Sequence, residues 1–348
     1  MNILAGKLYS PIIRSRDAEL KGFKELSGAV KDALLPIFEF TKSRRSPKNT
    51  AGAISICVSS VEKALEDRRY IADVTSMDSL SNAETGKLLD PEKAFRNWRT
   101  FVATTLGPSC IPVIHLTDPL DSSSVLRQCE AFFRKGDLVA VRVPSDYSEI
   151  EALTEIFEEE MIDLRKIIFI CDAGFIRPST FADVQVDCSV RLGLAHGYGA
   201  RILAASGFPS SVVLPDYGGD AYGKFRLLEV DLHEKTCVEP GMSEVIYGDY
   251  ALIHPNDFSG VVTNWVPRVD VPLRNELYYY RYRRHDGGYQ RAATEAFADG
   301  DYLPLPCWAH DNIKSAAEGN VQGRSPAHWI AARVNYHITR QVDRLLFT

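Results

Sequence analysis

Eight short apolar runs, rich in β-branched and aromatic residues, recur along the chain with helical stretches between them, and this alternation limits the architectures open to it. The runs are Tyr9–Arg14, Leu35–Phe40, Tyr70–Val74, Cys110–Leu116, Leu138–Val143, Lys166–Cys171, Arg201–Ala205 and Tyr250–His254. Most are continuous rather than alternating, as parallel strands covered on both faces must be. The intervening segments Asp17–Ala33, Ile54–Asp67, Pro91–Thr105, Ser122–Lys135 and Ser148–Met161 carry helical spacing; in the first, Leu20, Phe23, Leu26, Val30 and Leu34 make one apolar face. A strand-helix unit of roughly 35 residues, repeated eight times, predicts an α/β fold, a (β/α)₈ TIM-like barrel. The rival is an open doubly wound sheet, but no GxGxxG follows the first strand.

Past the eighth run the pattern changes. Trp265–Arg274 reads as extended, Leu277–Arg284 as a hairpin strand, and Gly288–Phe297 and Ser325–Leu346 as helices. The expected organisation is a barrel over residues 1–260 with a strand-and-helix appendage, 261–348, packed on it as one body.

Composition narrows the function classes. Forty basic against 46 acidic side chains give a net charge of −6, which argues against a broad nucleic-acid footprint and leaves room for a local basic site. The seven cysteines are irregularly spaced with no CxxC pair, so neither a zinc ribbon nor a thioredoxin-like site is indicated; a reducing cytoplasm is the expected setting. No apolar run reaches the ~18 residues of a membrane span, so no membrane association is expected.

In a barrel, the residues that end the strands converge on one mouth. Collected this way are Arg14, Arg16, Glu39, Asp73, His115 with Asp118, Arg142, Asp172, Ser206, and Asp249 with His254. Glu39, Asp73 and Asp172 together could hold a hard divalent cation such as Mg²⁺, while Arg14 and Arg142 suit a phosphate or carboxylate. His115, with Glu39 and Asp172, would carry acid–base chemistry. Each also has an ordinary reading: rim residues form mutual ion pairs, and His115, inside VIHLTD, suits a hydrogen-bonded core histidine equally well. The Ser206-Gly207-Phe208-Pro209 loop follows the seventh strand, where barrels often cradle phosphate. In LYYYRYRRHDGGY, aromatic rings interleave with Arg281, Arg283 and Arg284; this suits stacking and phosphate contact, and equally an ordinary alternating strand.

Several strings also carry a resemblance: YSPIIRSRDAELKGFKEL, LLPIFEF, ASGFP, YGDYALIHPND, DGGYQRAATEAF and SPAHWIAARVNYHITRQV. In this order and spacing, over about Leu8 to Val342, the chain resembles the phage-type "beta family protein". Carried onto this sequence, the family's characteristic positions are Pro11, Glu19, Pro36, Glu39, Ser206, Pro209, Gly248, Asp249, Tyr250, His254, Pro255, Trp329 and His337. Members often have a double histidine where this chain has Tyr336-His337, so a two-histidine ligand role is not implied here. The resemblance implies a setting in phages and bacterial mobile or defence neighbourhoods, and hence phage–host conflict, without naming a reaction. Two functions are compatible with it. One is binding, and metal-assisted hydrolysis, of a nucleotide or nucleic-acid end at the mouth. The other is a non-catalytic subunit acting with a protein encoded nearby, through the Tyr/Arg-rich C-terminal region.

Overall fold

The computed structural model describes residues 4, 6–257 and 265–347. Its strands are β1 Tyr9–Arg14, β2 Ile37–Phe40, β3 Tyr70–Val74, β4 Cys110–Ile114, β5 Val139–Pro144, β6 Ile167–Phe175, β7 Ala200–Ser206, β8 Tyr222–Arg226, β9 Ile246–Asp249, β10 Arg268–Pro272 and β11 Glu276–Arg281. Strands β1 to β7 and β9 pair in parallel and close into an eight-stranded barrel, with β9 hydrogen-bonded to both β7 and β1.

The eighth barrel strand is therefore Ile246–Asp249, and the expected strand at Tyr250–His254 is corrected. Ala251 and Leu252 adopt φ of 47° and 60°, a left-handed turn that ends the strand. The apolar look of Ala251-Leu252 comes from burial of that turn, at 1% exposure each. The first helix, expected over Asp17–Ala33, is two: Asp17–Lys24 and Gly28–Asp32. Ser27 breaks it by capping the second, its hydroxyl accepting from Val30 N at 3.3 Å.

Alternation along each strand separates two cores. Ile12, Ile37, Ile71, Ile111, Ile168 and Ile202 fill the barrel interior with their neighbours, while the opposite faces pack on the surrounding helices. β8 lies outside the barrel. It joins β11, which joins β10, in an antiparallel three-stranded sheet, so the segment after β7 supplies an edge strand to the C-terminal region. Leu277 and Tyr279 of β11 pack on the main core, and Tyr278 on a third cluster formed with the C-terminal helices. The expected boundary at 260/261 lies outside the described residues.

The last helix, Pro326–Leu346, is buried on nearly all sides and lies against Asp17–Lys24. Gly22 makes this approach close, since a Cβ there would sit 2.6 Å from Ala331 O. Asn335 bridges the junction, donating to Gly22 O at 3.1 Å and accepting from Ala309 N at 3.1 Å. Among the described residues, no helix is long and apolar enough to cross a membrane.

Candidate functional site

The inward row of every barrel strand ends, at the C-terminal mouth, in a polar side chain. β1 to β7 contribute Arg14, Glu39, Asp73, His115, Arg142, Asp172 and Ser206 in turn, and Tyr250 follows β9. Because parallel strands share one direction and one pleat, residues far apart in sequence meet in a closed ring.

Arg142 occupies its centre. Nη1 donates to Glu39 Oε1 at 2.6 Å and Asp73 Oδ2 at 2.9 Å, Nε donates to Asp172 Oδ2 at 2.8 Å, and Nη2 lies 2.7 Å from the same oxygen. Nη2 also donates to Tyr250 Oη at 3.0 Å, and that hydroxyl donates to Asp172 at 2.7 Å. The guanidinium thus donates four hydrogen bonds, and its Nη2 contact with Asp172 is an ion pair. Arg14 completes the ring, with Nε 3.4 Å from Glu39 Oε2 and Nη2 donating to the carbonyls of His254 at 3.1 Å and Pro255 at 2.7 Å. Glu19, one turn into the first helix, accepts from Arg14 N at 2.8 Å. This is why β1 runs straight into charged residues.

The electrostatics follow from burial. Removal from water would raise the Asp73 carboxyl, but the His115 hydrogen bond and the Arg142 charge outweigh it and hold it at about 2. Burial dominates at Glu19 and pushes it up to about 7 despite Arg14. Burial also opposes the charge on Arg142, yet Asp172, Glu39 and Asp73 hold its proton more tightly than water would. His115 Nε2 lies 3.2 Å from Asp73 Oδ1, its ring stacks on Trp98 with centroids 4.9 Å apart, and its buried Nδ1 has no hydrogen-bond partner. Gln128 clamps the His115 backbone, accepting from its N–H at 2.9 Å and donating to its C=O at 2.8 Å.

Above the ring lies a cleft of 640 Å³. Glu39, Asp73, His115, Arg142, Asp172 and Tyr250 line its floor, and Thr75, Ser76, Thr117, Asp118, Ser145 and Asn256 line its wall. The volume is that of a small-molecule site. Mg²⁺ does not fit the ring as arranged: the carboxylates proposed to hold it are turned onto the guanidinium. Among the described residues, no group of three or more His, Cys, Asp or Glu side chains has metal-holding geometry.

Ser206 belongs to the inward row of β7 but does not line the cleft, and the remaining candidates lie elsewhere. Ser206 is buried beneath its own loop, its hydroxyl accepting from Phe208 N at 3.2 Å, while Gly207 N donates to the buried Glu229 carboxylate at 2.6 Å. Asp249 faces outward, away from the mouth. It accepts from the hydroxyls of Tyr9 and Tyr247 (2.7 Å for the latter) and pairs with His337 Nε2 of the last helix at 2.5 Å. His254 stands beside the mouth, Nδ1 donating to Phe208 O at 2.9 Å, and Arg281 pairs with Asp220 on the outer sheet. Tyr250 is the ring member that strand-end reasoning did not select. Its signal was the alternation Gly248, Tyr250, which requires the correct strand bounds.

Fold and site together define a (β/α)₈-barrel protein with a ligand-sized cleft over an ion-paired polar ring at its mouth. The model of the Beta protein family matches residues 9–343, and the chain belongs to that family. It is 29% identical over 343 residues to Protein beta of Enterobacteria phage P4, covering 96% of this chain and 93% of the phage protein. No solved structure matches it significantly.

Proposed function

We propose that the barrel mouth binds a nucleotide or the end of a nucleic-acid strand, with the donor-rich sugar and base over the polar ring and the phosphate toward the outer wall. The observation that carries this reading is the ring itself, six of whose inward polar side chains, Glu39, Asp73, His115, Arg142, Asp172 and Tyr250, line a cleft of 640 Å³. Three carboxylates against two guanidiniums leave an acceptor-rich floor, complementary to hydroxyl and amino groups. Arg142 is saturated by its own partners, so a phosphate finds better company among the hydroxyls of Thr75, Ser76, Thr117 and Ser145. His115, oriented by Asp73, is the proton-transfer group for hydrolysis. The same reading places the chain in phage–host conflict, including anti-phage defence; the kinship with a phage-encoded protein bears on the phage setting alone.

The test is calorimetric titration of the protein with a panel of ribonucleotides and 5′-phosphorylated dT8, alongside phosphate-release assays with and without Mg²⁺. The reading expects a saturable mouth site, counted by the stoichiometry of the titration, that is lost or weakened at least tenfold in Asp172→Asn, a shape-preserving change, with the variant's fold checked by circular dichroism. Failure of every probe to bind, or a variant that keeps every site of the parent at equal affinity, overturns it. His115→Gln is expected to abolish phosphate release while retaining binding.

A further inference from the structure

A second cleft, of 440 Å³, opens between the loop after β7 and the C-terminal region, and its chemistry is opposite to that of the mouth. Arg268, Arg281 and Arg333 line it against a single carboxylate, Asp270, in a chain whose net charge is −6. Asp270 is shared: Arg268 Nε lies 2.8 Å from Oδ1, and Arg333 Nη1 lies 3.2 Å from Oδ2. Arg281 is paired outside the cleft, with Asp220. The local excess is therefore one guanidinium more than the carboxylates can neutralise.

Arg333 is the informative residue. It is 6% exposed on the last helix, its guanidinium lies 4.4 Å from the centroid of the Phe208 ring, and its buried Nε has no hydrogen-bond partner. A buried cation with an unmet donor is costly unless an anion meets it. Burial pulls its proton affinity down to about 10, with Asp270 only partly restoring it. The walls are aromatic: Arg268 lies 6.0 Å from the Phe208 centroid, and Trp265, 36% exposed, carries Arg284 over its ring at 4.3 Å. Interleaved guanidinium and aromatic groups fit a phosphate joined to a flat, stackable base.

We infer that this cleft is a second binding site, for a nucleoside phosphate, free or at the end of a single strand, with Arg333 and Arg268 on the phosphate and Trp265 against the base. The site is built by residues outside the mouth ring and stands whether or not the mouth is occupied.

The experiment is titration of the intact chain with AMP, 5′-phosphorylated dT8 and inorganic phosphate, followed by tryptophan fluorescence and calorimetry at two salt concentrations. Expected is a saturable site for AMP or the oligonucleotide, counted separately from the mouth site, that is at least tenfold weaker in Arg268→Gln and in Trp265→Leu, weakens with salt, and is the site that remains in Asp172→Asn. That last variant separates this site from the mouth: loss only in Asp172→Asn overturns the second site and leaves the mouth reading standing. Tighter binding of AMP or of the oligonucleotide identifies the source, and either supports the inference. Inorganic phosphate binding as tightly as AMP overturns the nucleoside assignment. Binding unchanged in both Arg268→Gln and Trp265→Leu, or no binding by any probe, overturns the site. Should Arg268→Gln fail to fold by circular dichroism, Arg333→Gln takes its place with the same criterion.

Discussion

Replacing Arg142 by Met removes the cation at the centre of the mouth while keeping the length of the side chain. Glu39, Asp73 and Asp172, each 7% exposed or less, are left facing one another with Arg14 as the remaining guanidinium in the ring. Removing one partner of a buried ion pair costs about 3–5 kcal/mol, because the other charge stays buried and uncompensated. An independent route gives a compatible size. The Asp73 carboxyl lies at about 2 instead of 3.8, which at ~1.36 kcal/mol per pH unit is about 2 kcal/mol, shared between His115 and Arg142. Asp172 and Glu39 add their own losses.

The pH dependence makes the test specific. In the parent protein the Asp73 contribution is present above pH 3.8 and is lost as pH falls through 2, so it survives at pH 4. In Arg142→Met, burial without the cation penalises the ionised form of the buried carboxylates, so the deficit is largest where they are charged and shrinks on acidification. Urea denaturation is therefore expected to show a deficit of about 3–5 kcal/mol at pH 7 that narrows by about 2 kcal/mol at pH 4. Other buried acids, Glu19 and Glu229, are common to both proteins and cancel. A deficit below about 1 kcal/mol, or one of equal size at both pH values, would refute the assignment of Arg142 as the counter-ion of the ring.

Three further outcomes follow from other contacts. Gly22→Ala, although it improves helix propensity, is expected to lower stability by about 1–3 kcal/mol in thermal unfolding, because the added carbon meets Ala331 O at 2.6 Å. Burial, with Asp249 nearby, pushes the Glu229 carboxyl up to about 8, so its contribution is full below pH 4.5 and is lost as pH rises through 8; Glu229→Gln should unfold later than the parent above pH 8 by roughly 1–3 kcal/mol and flatten that limb of the stability profile. Asp249→Ala leaves Tyr9, Tyr247 and His337 without their acceptor and is expected to cost at least about 3 kcal/mol, read as earlier proteolytic release of the last helix.

The barrel was legible because a parallel strand covered on both faces writes itself as a continuous apolar run, and seven of the eight runs lie on barrel strands. The eighth was displaced because Tyr250-Ala251-Leu252-Ile253 has the same look, while what decides it is register: Ala204 pairs with Gly248 and Ser10 pairs with Gly248 from the other side. That displacement alone selected Asp249 and His254 for the mouth and omitted Tyr250, since a shift changes which side chains face inward. β8 was illegible for another reason. Tyr222–Arg226 alternates buried and exposed over five residues and contains a glycine, too short a pattern to separate from a loop. Nor could polarity reveal that Asn335, His337 and Gln341 are fully buried, because only their partners on other elements make that affordable.

The correct placement of His254 also changes how the two clefts relate. Arg14, on the mouth ring, donates to the His254 carbonyl; His254 Nδ1 donates to the Phe208 carbonyl; and the Phe208 ring lies under Arg333 and Arg268 of the second cleft. These four contacts join the acidic floor to the basic cleft through the loops after β9 and β7. Burial and the Arg14 charge lower the proton affinity of His254, so at neutral pH the ring is uncharged and adds nothing to the cation count on either side. The division of charge is then complete: carboxylates in excess within the barrel, guanidiniums in excess at its edge, and a neutral hydrogen-bonded residue between them. The two clefts therefore differ in sign, and electrostatic complementarity of this kind directs an anionic group toward the edge and a donor-rich group toward the mouth more strongly than it adds affinity.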